Sequence, residues 1–326
     1  MQALEHILYF ADGEFGPTRA FRRAVALARH HGARLTLMDV TIESGFSADL
    51  VKRFGLGDDV QQSEQRYAAL THLAEDWVRA PSPRLRVTIG TPFIEVIQAV
   101  LRDGHDLVLK PARARQGRNL FASTDMHLLR KCPCPVWIDR EPAQPEAADS
   151  GAAEAAPRCR RILASIDAMQ PSATGLNRRI LESAIAVKEQ DDAMLDIAHV
   201  FEPRFGDPLP KLGPEGATNR SGTTAESHLN DAITHLEQRH AEALQEAVNG
   251  YRHHIRDENL HLLRGEPAAQ VLTQAEALDS DLIVLATLSR PREPGLFIGT
   301  TAEDLLQGAQ TSVLALKPEG FVTPVQ

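Results

Sequence analysis

The chain carries one signature twice. Gly90-Thr91-Pro92-Phe93-Ile94-Glu95-Val96-Ile97 precedes Asp106-Leu107-Val108-Leu109, and Gly265-Glu266-Pro267-Ala268-Ala269-Gln270-Val271-Leu272 precedes Asp281-Leu282-Ile283-Val284. The spacing from glycine to aspartate is the same in both copies. A repeat this long is a duplicated folded domain, because the units of a solenoid run to only about 20–50 residues. Function therefore has to be sought in what each copy has kept, lost or changed at a shared site.

With 326 residues, two domains can each bury a core. Both copies alternate apolar runs with helical stripes. In the first, Ile7 to Ala11 reads as a strand that stops at Asp12, and Pro17 is placed in the opening turn of the helix that follows. Phe21, Ala24, Val25 and Ala28 stripe that helix until Gly32 stops it. Leu35 to Val40 reads as the second strand, and Tyr67, Leu70, Leu73, Ala74 and Trp77 stripe the second helix. A short helix is expected over Thr124 to Arg130, before a last strand around Val136. The second copy repeats the order from Ile162 to Leu316, with a capping box expected at Thr223 and Glu226.

Strands that alternate with helices predict parallel strands joined by right-handed crossovers. Each copy is expected to be an α/β, doubly wound, five-stranded parallel sheet. Domain boundaries are expected at 1–140 and 158–326. Residues 141–157, rich in Ala, Pro and Glu, read as a linker. Residues 203–222 read as a long loop, either a lid or disordered. Ligands of such sheets sit at the carboxyl ends of the strands, where strand order reverses. Asp12 and Asp167 both fall there.

The formal charge of −9 argues against nucleic acid as a partner, which requires a basic face. Arg22, Arg23 and Arg29 are the one candidate patch, and a solvated helix face is the favoured reading of them. No run reaches the roughly 18 apolar residues of a membrane span, and no signal-peptide pattern opens the sequence. Three cysteines fit a reducing compartment, so the cytoplasm is expected.

Strands ending in Asp12 and Asp167, a strand ending in His199-Val200 and a late Gly299-Thr300 opening a helix resemble the universal stress protein family, in its tandem two-domain form. Three segments carry the tandem resemblance: Ser123-Thr124-Asp125 with His127 to Val136 (through Cys132-Pro133-Cys134-Pro135), Gly299-Thr300-Thr301-Ala302-Glu303, and Lys317-Pro318 with Thr323-Pro324-Val325. The resemblance implies Rossmann-like domains of the adenine nucleotide alpha hydrolase-like kind, packed as a pseudo-dimer through their fifth strands. Members that bind ATP carry a loop G-x2-G-x9-G-(S/T) after the fourth strand. Glycines there let backbone N–H groups approach phosphates, and the last pair opens a helix with its positive end toward the anion.

Counting back from Gly299-Thr300 puts Ser289 and Ala286 where the other two glycines belong, so only the last element is intact. Arg290 and Arg292 in that loop are either phosphate partners or ordinary surface charges. The implied ligand site of the second copy is Asp167, Val200, Ala286, Ser289, Gly299 and Thr300. In the first copy, counting from Ser123 puts Arg113 and Lys110 at the glycine positions, so bulky side chains would fill the pocket. Asp12, Val40, Ser123 and Thr124 are the corresponding residues there.

Two other groups were weighed. Cys132 and Cys134 supply two of the four ligands a tetrahedral zinc needs, or a redox pair, and a proline-punctuated entry into a buried strand is the favoured reading. Histidines number thirteen but scatter, and His199 is expected near the mouth of the site. No metal site is expected. With no G-x-S-x-G elbow and no intact Walker loop, no catalytic residue is assigned.

The expected function is a cytoplasmic stress-response binding and regulatory module, not an enzyme. Its ligand would be nucleotide-like, such as ATP or another adenine nucleotide. The alternatives are a different phosphorylated or partly apolar metabolite, a pure interaction protein with both pockets vestigial and, last, a weak ATPase. Neither nucleic acid nor membrane is an expected partner, and a homodimer of whole chains is left open.

Overall fold

The structure, a computed structural model, describes residues 4–42, 59–77, 82–112, 123–141, 157–170, 173–203, 225–287 and 300–325. In the first copy β1 (His6–Phe10), α1 (Arg19–His31), β2 (Arg34–Thr41), α2 (Asp59–Trp77), β3 (Arg84–Ile89), α3 (Pro92–Asp103), β4 (Leu107–Pro111), α4 (Ser123–Lys131) and β5 (Val136–Asp139) follow in order. The second copy repeats it with β6 (Arg161–Ser165), α5 (Thr174–Asp191), β7 (Met194–Phe201), α6 (Ala225–Val248), β8 (Leu260–Arg264), α7 (Pro267–Ala277), β9 (Leu282–Ala286), α8 (Thr300–Gly308) and β10 (Ser312–Leu316). The capping box expected at Thr223 and the expected linker and loop lie largely or wholly outside the described residues.

Each copy forms a five-stranded parallel sheet, and the two join edge to edge. The full strand order is β3-β2-β1-β4-β5-β10-β9-β6-β7-β8. Only the seam is antiparallel, with Leu314 opposite Trp137 and Ala315 opposite Val136. Two sheet edges that would otherwise expose unpaired backbone groups thus cover one another.

The repeated signature has a structural reason. Asp106 accepts the backbone N–H groups of Glu5 at 2.6 Å and His6 at 3.2 Å, tying the start of β1 to the start of β4. Asp281 does the same for Arg160 at 2.6 Å and Arg161 at 2.9 Å. Gly90 donates to the Thr41 carbonyl and Gly265 to that of Phe201, both at 3.0 Å. At each, φ is in the positive range (156° and 139°) and a Cβ would press on the Glu95 or Gln270 side chain, at 2.7 and 3.0 Å. Glycine is therefore required at the turn from β3 to α3 and from β8 to α7.

Local differences from the sequence reading have simple causes. Thr18, whose hydroxyl accepts from the Phe21 N–H, caps α1, so Pro17 lies just before the helix rather than in its first turn. Gly32 ends α1 in the left-handed region, as its position suggests. On α2, Leu70, Leu73 and Ala74 are buried, but Tyr67 points outward and is 49% exposed.

Arg23 overturns the solvated-face reading of the α1 arginines. It is 1% exposed and bonds Asp191 of the second copy at 2.6 Å, with its guanidinium 5.0 Å from the Trp137 ring. Arg19 beside it reaches Asp139 at 3.0 Å and the Arg158 carbonyl at 3.0 Å. These arginines fasten the two copies together beside the seam, while Arg29 donates to the Trp77 carbonyl.

Candidate functional site

In the second copy, the strands β6, β7 and β9 end around a cleft of about 670 Å³. This is where strand order reverses, between β6 and β9. The chain brings Asp167, Val200 and Ala286 together along its wall, and Thr301 and Ala302 of the first turn of α8 complete it. Thr300 opens that helix. Ser289, Gly299, Arg290 and Arg292 lie outside the described residues.

Asp167 follows β6 and is held by its backbone. Asn177 on α5 accepts from the Asp167 N–H at 3.2 Å and donates to its carbonyl at 2.7 Å. The carboxylate itself is half-buried and meets no donor among the described residues. The strand β7 supplies His199, Val200 and Phe201. His199 Nδ1 lies 3.2 Å from the Ile166 carbonyl and Nε2 lies 2.8 Å from Nδ1 of His240 on α6. The rings stack at 5.0 Å, and Phe201 also stacks with His240 at 5.0 Å. Burial lowers the His199 pKa, opposed by the Ile166 carbonyl and the Asp167 charge. A neutral ring that donates from Nδ1 to Ile166 accepts at Nε2 from His240, and the other tautomer accepts at Nδ1 from the Ala168 N–H at 3.4 Å and donates at Nε2 to His240. His199 is thus at the mouth, as expected from sequence. His240 was not foreseen, because nothing in a helical stripe marks which residue will meet a strand 41 positions earlier.

The first copy fills the same space. Lys110, fully buried on β4, reaches Asp12 at 3.1 Å and pairs with Asp125 of the first turn of α4. The sheet register makes Lys110 the counterpart of Leu285, since Lys110 faces Ile138 on β5 as Leu285 faces Ala315 on β10. The counterpart of Ala286 is therefore Pro111, one position from where counting back from Ser123 placed it. Asp12 adopts φ 50°, and Val40 is 3% exposed. Ser123 and Thr124 open α4. At the position of His199 stands Asp39, which accepts from the Gly13 N–H at 2.9 Å and pairs with Arg66 of α2. Burial raises the Asp39 pKa, countered by Arg66 and the Gly13 N–H. A lysine inside an otherwise apolar strand was the available signal: Leu107-Val108-Leu109-Lys110 against Leu282-Ile283-Val284-Leu285.

Among the described residues, no cluster of three or more His, Cys, Asp or Glu side chains is arranged to hold a metal ion, and no helix is long and apolar enough to cross a membrane.

Two doubly wound sheets joined edge to edge, one with a cleft at its strand ends and one with a Lys110–Asp12–Asp125 cluster at the matching place, define a tandem α/β protein. Residues 3–140 and 159–317 match the universal stress protein family, and the chain belongs to that family. It is 28% identical to universal stress protein E of Escherichia coli K12, with 100% of this chain and 98% of the relative covered. Universal stress protein E of Photorhabdus laumondii is 24% identical over 100% of this chain and 99% of the relative. A protein of unknown function from Pseudomonas aeruginosa PAO1 shares the fold, with a TM-score of 0.66 at 21% identity over 98% of this chain and 94% of that one. A universal stress protein from Archaeoglobus fulgidus shares it with a TM-score of 0.55 at 12% identity, over 96% of each chain.

Proposed function

We propose that the chain is a regulatory binding module of the stress response whose second copy holds a nucleotide-like ligand, an adenine nucleotide such as ATP being the first candidate. The carrying observation is the asymmetry of the copies: a cleft lined by Asp167, Val200 and Ala286 stands where the first copy holds Lys110, Asp12 and Asp125. In this reading the free Asp167 carboxylate accepts ribose hydroxyls and Val200 packs against the base. The amino end of α8 draws the phosphates, because its N–H groups and dipole favour an anion. The protein acts by binding, not by catalysis. Its unpaired Cys132, Cys134 and Cys159 suit the reducing cytoplasm as its place of work.

Thermal unfolding with ATP, ADP, AMP and nucleotide sugars, with and without magnesium, tests this. A ligand at 100 times its dissociation constant stabilises by about 2.7 kcal/mol, and Asp167→Ala should remove most of that gain. If no nucleotide raises the melting temperature, the reading fails. Release of phosphate from ATP at enzyme-like rates would overturn the non-catalytic assignment.

A second reading, a phosphorylated but partly apolar metabolite, is favoured by one observation: Leu176, Ile180, Leu236 and Leu305 also line the cleft. Mass spectrometry of small molecules released from the purified protein separates the two.

A further inference from the structure

Away from that cleft, a second opening of about 660 Å³ lies at the seam, walled by both copies. Arg178, Arg179 and Glu182 of α5 face Asp106 and the Pro133-Cys134-Pro135 segment across it, with Phe321 at one side. Cys134, 8% exposed, is among the residues that line this opening. Behind it Cys132, 0% exposed, places its sulfur 3.5 Å from that of Cys134, within S–H···S hydrogen-bond range. The third thiol, Cys159, is 0% exposed and meets Arg23 rather than another sulfur.

A buried lysine acts on the pair, and burial lowers its pKa to about 7, opposed by the two thiols. Lys317, 2% exposed, donates to the carbonyls of Leu129 and Arg130 and to the Thr287 hydroxyl, and no carboxylate lies within ion-pair distance among the described residues. Its field reaches both sulfurs, which are the groups able to offer it a negative charge. Burial opposes ionisation of Cys132, but the Cys134 thiol, its backbone N–H and Lys317 together lower the Cys132 pKa. The hydrogen bond to Cys132 and burial push the Cys134 thiol up.

We propose that Cys132 and Cys134 form a peroxide-oxidised dithiol site, entered from the seam opening through Cys134. The co-substrate class is hydrogen peroxide, small enough to pass Cys134 at the wall of the opening and reach Cys132. The Cys132 sulfur, the more readily ionised of the pair, attacks one peroxide oxygen; the O–O bond breaks, and the departing hydroxide takes the Cys132 proton to leave as water. The resulting sulfenic sulfur is attacked by Cys134; an S–S bond forms, the S–O bond breaks, and the second hydroxide leaves as water with the remaining thiol proton. Two thiols and one peroxide give one disulfide and two waters. The sulfurs have to close from 3.5 Å to a bond of about 2.0 Å, a local shift at the junction between α4 and β5.

The reduced full-length protein, treated with hydrogen peroxide and then denatured, provides the test. Thiol titration should show that two of the three thiols are lost, and the intact mass should fall by about 2 Da, with Cys132 and Cys134 joined in one peptide and Cys159 free. Cys134→Ser should abolish the mass loss, and Lys317→Met should slow thiol loss several-fold. Three intact thiols under conditions that oxidise free cysteine in the same tube would overturn the proposal. So would oxygen added separately to each sulfur, or disulfides joining different chains. Should the Cys134→Ser protein not fold, the peptide map of the unaltered chain still decides the matter, because it needs no variant. An unchanged rate in Lys317→Met would remove the lysine from the mechanism.

Discussion

Replacing Lys110 by Met tests why the first copy is closed. Lys110 and Asp125 are 0% exposed and Asp12 is 7% exposed. At the 3.1 Å separation of Lys110 and Asp12, an effective dielectric of about 20 gives about 5 kcal/mol of attraction. Several kcal/mol per ion of lost hydration offset that gain, so the intact triad adds little net stability. Removing the ammonium is different, because two buried carboxylates then lose the cation that bridges them. The expected loss is about 3–5 kcal/mol, a large share of a typical 5–15 kcal/mol total. Methionine keeps the stem volume, so the loss reports charge and not a cavity. At the matching register position, Leu285→Met in the second copy should cost less than about 1.5 kcal/mol. Urea unfolding followed by circular dichroism measures both. Adding Asp125→Leu to Lys110→Met should restore more than half of the loss. A cost below about 1 kcal/mol for Lys110→Met, or no recovery in the double variant, would refute the argument that buried charge holds this copy shut.

Three other outcomes are expected. Burial and the neighbouring His6 ring lower the His105 pKa from 6.5 to about 4; the folded chain then binds fewer protons than the unfolded one in this range. Its contribution is present above pH 6.5 and is lost as pH falls through 4, amounting to about 2 kcal/mol by pH 5; His105→Asn should flatten that slope, and an unchanged slope would discount the histidine. Arg23→Met strands Asp191 beside the seam and should cost about 3–5 kcal/mol in urea unfolding, whereas a solvated arginine would cost under about 0.5 kcal/mol. Asp167→Ala should leave urea stability nearly unchanged while cutting nucleotide-induced stabilisation, and equal losses in both assays would make Asp167 a structural residue only.

The fold could be read from the sequence because the repeated residues do the same mechanical work in both copies. Gly90 and Gly265 make one turn, and Asp106 and Asp281 make one clasp, so identical spacing reported identical geometry. The parallel, doubly wound sheets follow from the alternation of strands and helices, while their strand order is read from the paired neighbours. Other features depend on partners distant in sequence, which periodicity does not encode. Arg23 sits on a helix that looks amphipathic, yet its partner Asp191 is in the other copy. Lys110 was marked as bulky, but its sheet register, which pairs it with Leu285 and not Ala286, came from hydrogen-bonded neighbours. Tyr67 fell on an apolar stripe and faces outward, because α2 buries mainly Leu70, Leu73 and Ala74. On the candidate site, Asp167 is legible as a strand end and Val200 and Ala286 through the family resemblance, whereas His240 reaches it from a helix.

Two register positions separate the copies beside an aspartate that both keep. Where the first copy has Asp12, Asp39 and Lys110, the second has Asp167, His199 and Leu285. The first set is ionic and self-satisfying: Lys110 meets Asp12 and Asp125, and Asp39 meets Arg66. The second is neutral apart from one carboxylate that meets no donor among the described residues, and His199 is satisfied by Ile166 and His240. A buried ion network is stable only when complete, so replacing one member of the first set strands charge before it opens space. The filled copy is also tied to the open one. Lys317 links the Thr287 hydroxyl, on the wall of the cleft, to the carbonyls of Leu129 and Arg130 at the end of α4. Rigidity in the first copy is thereby passed to the floor of the second, which makes the closed domain a buttress for the open one.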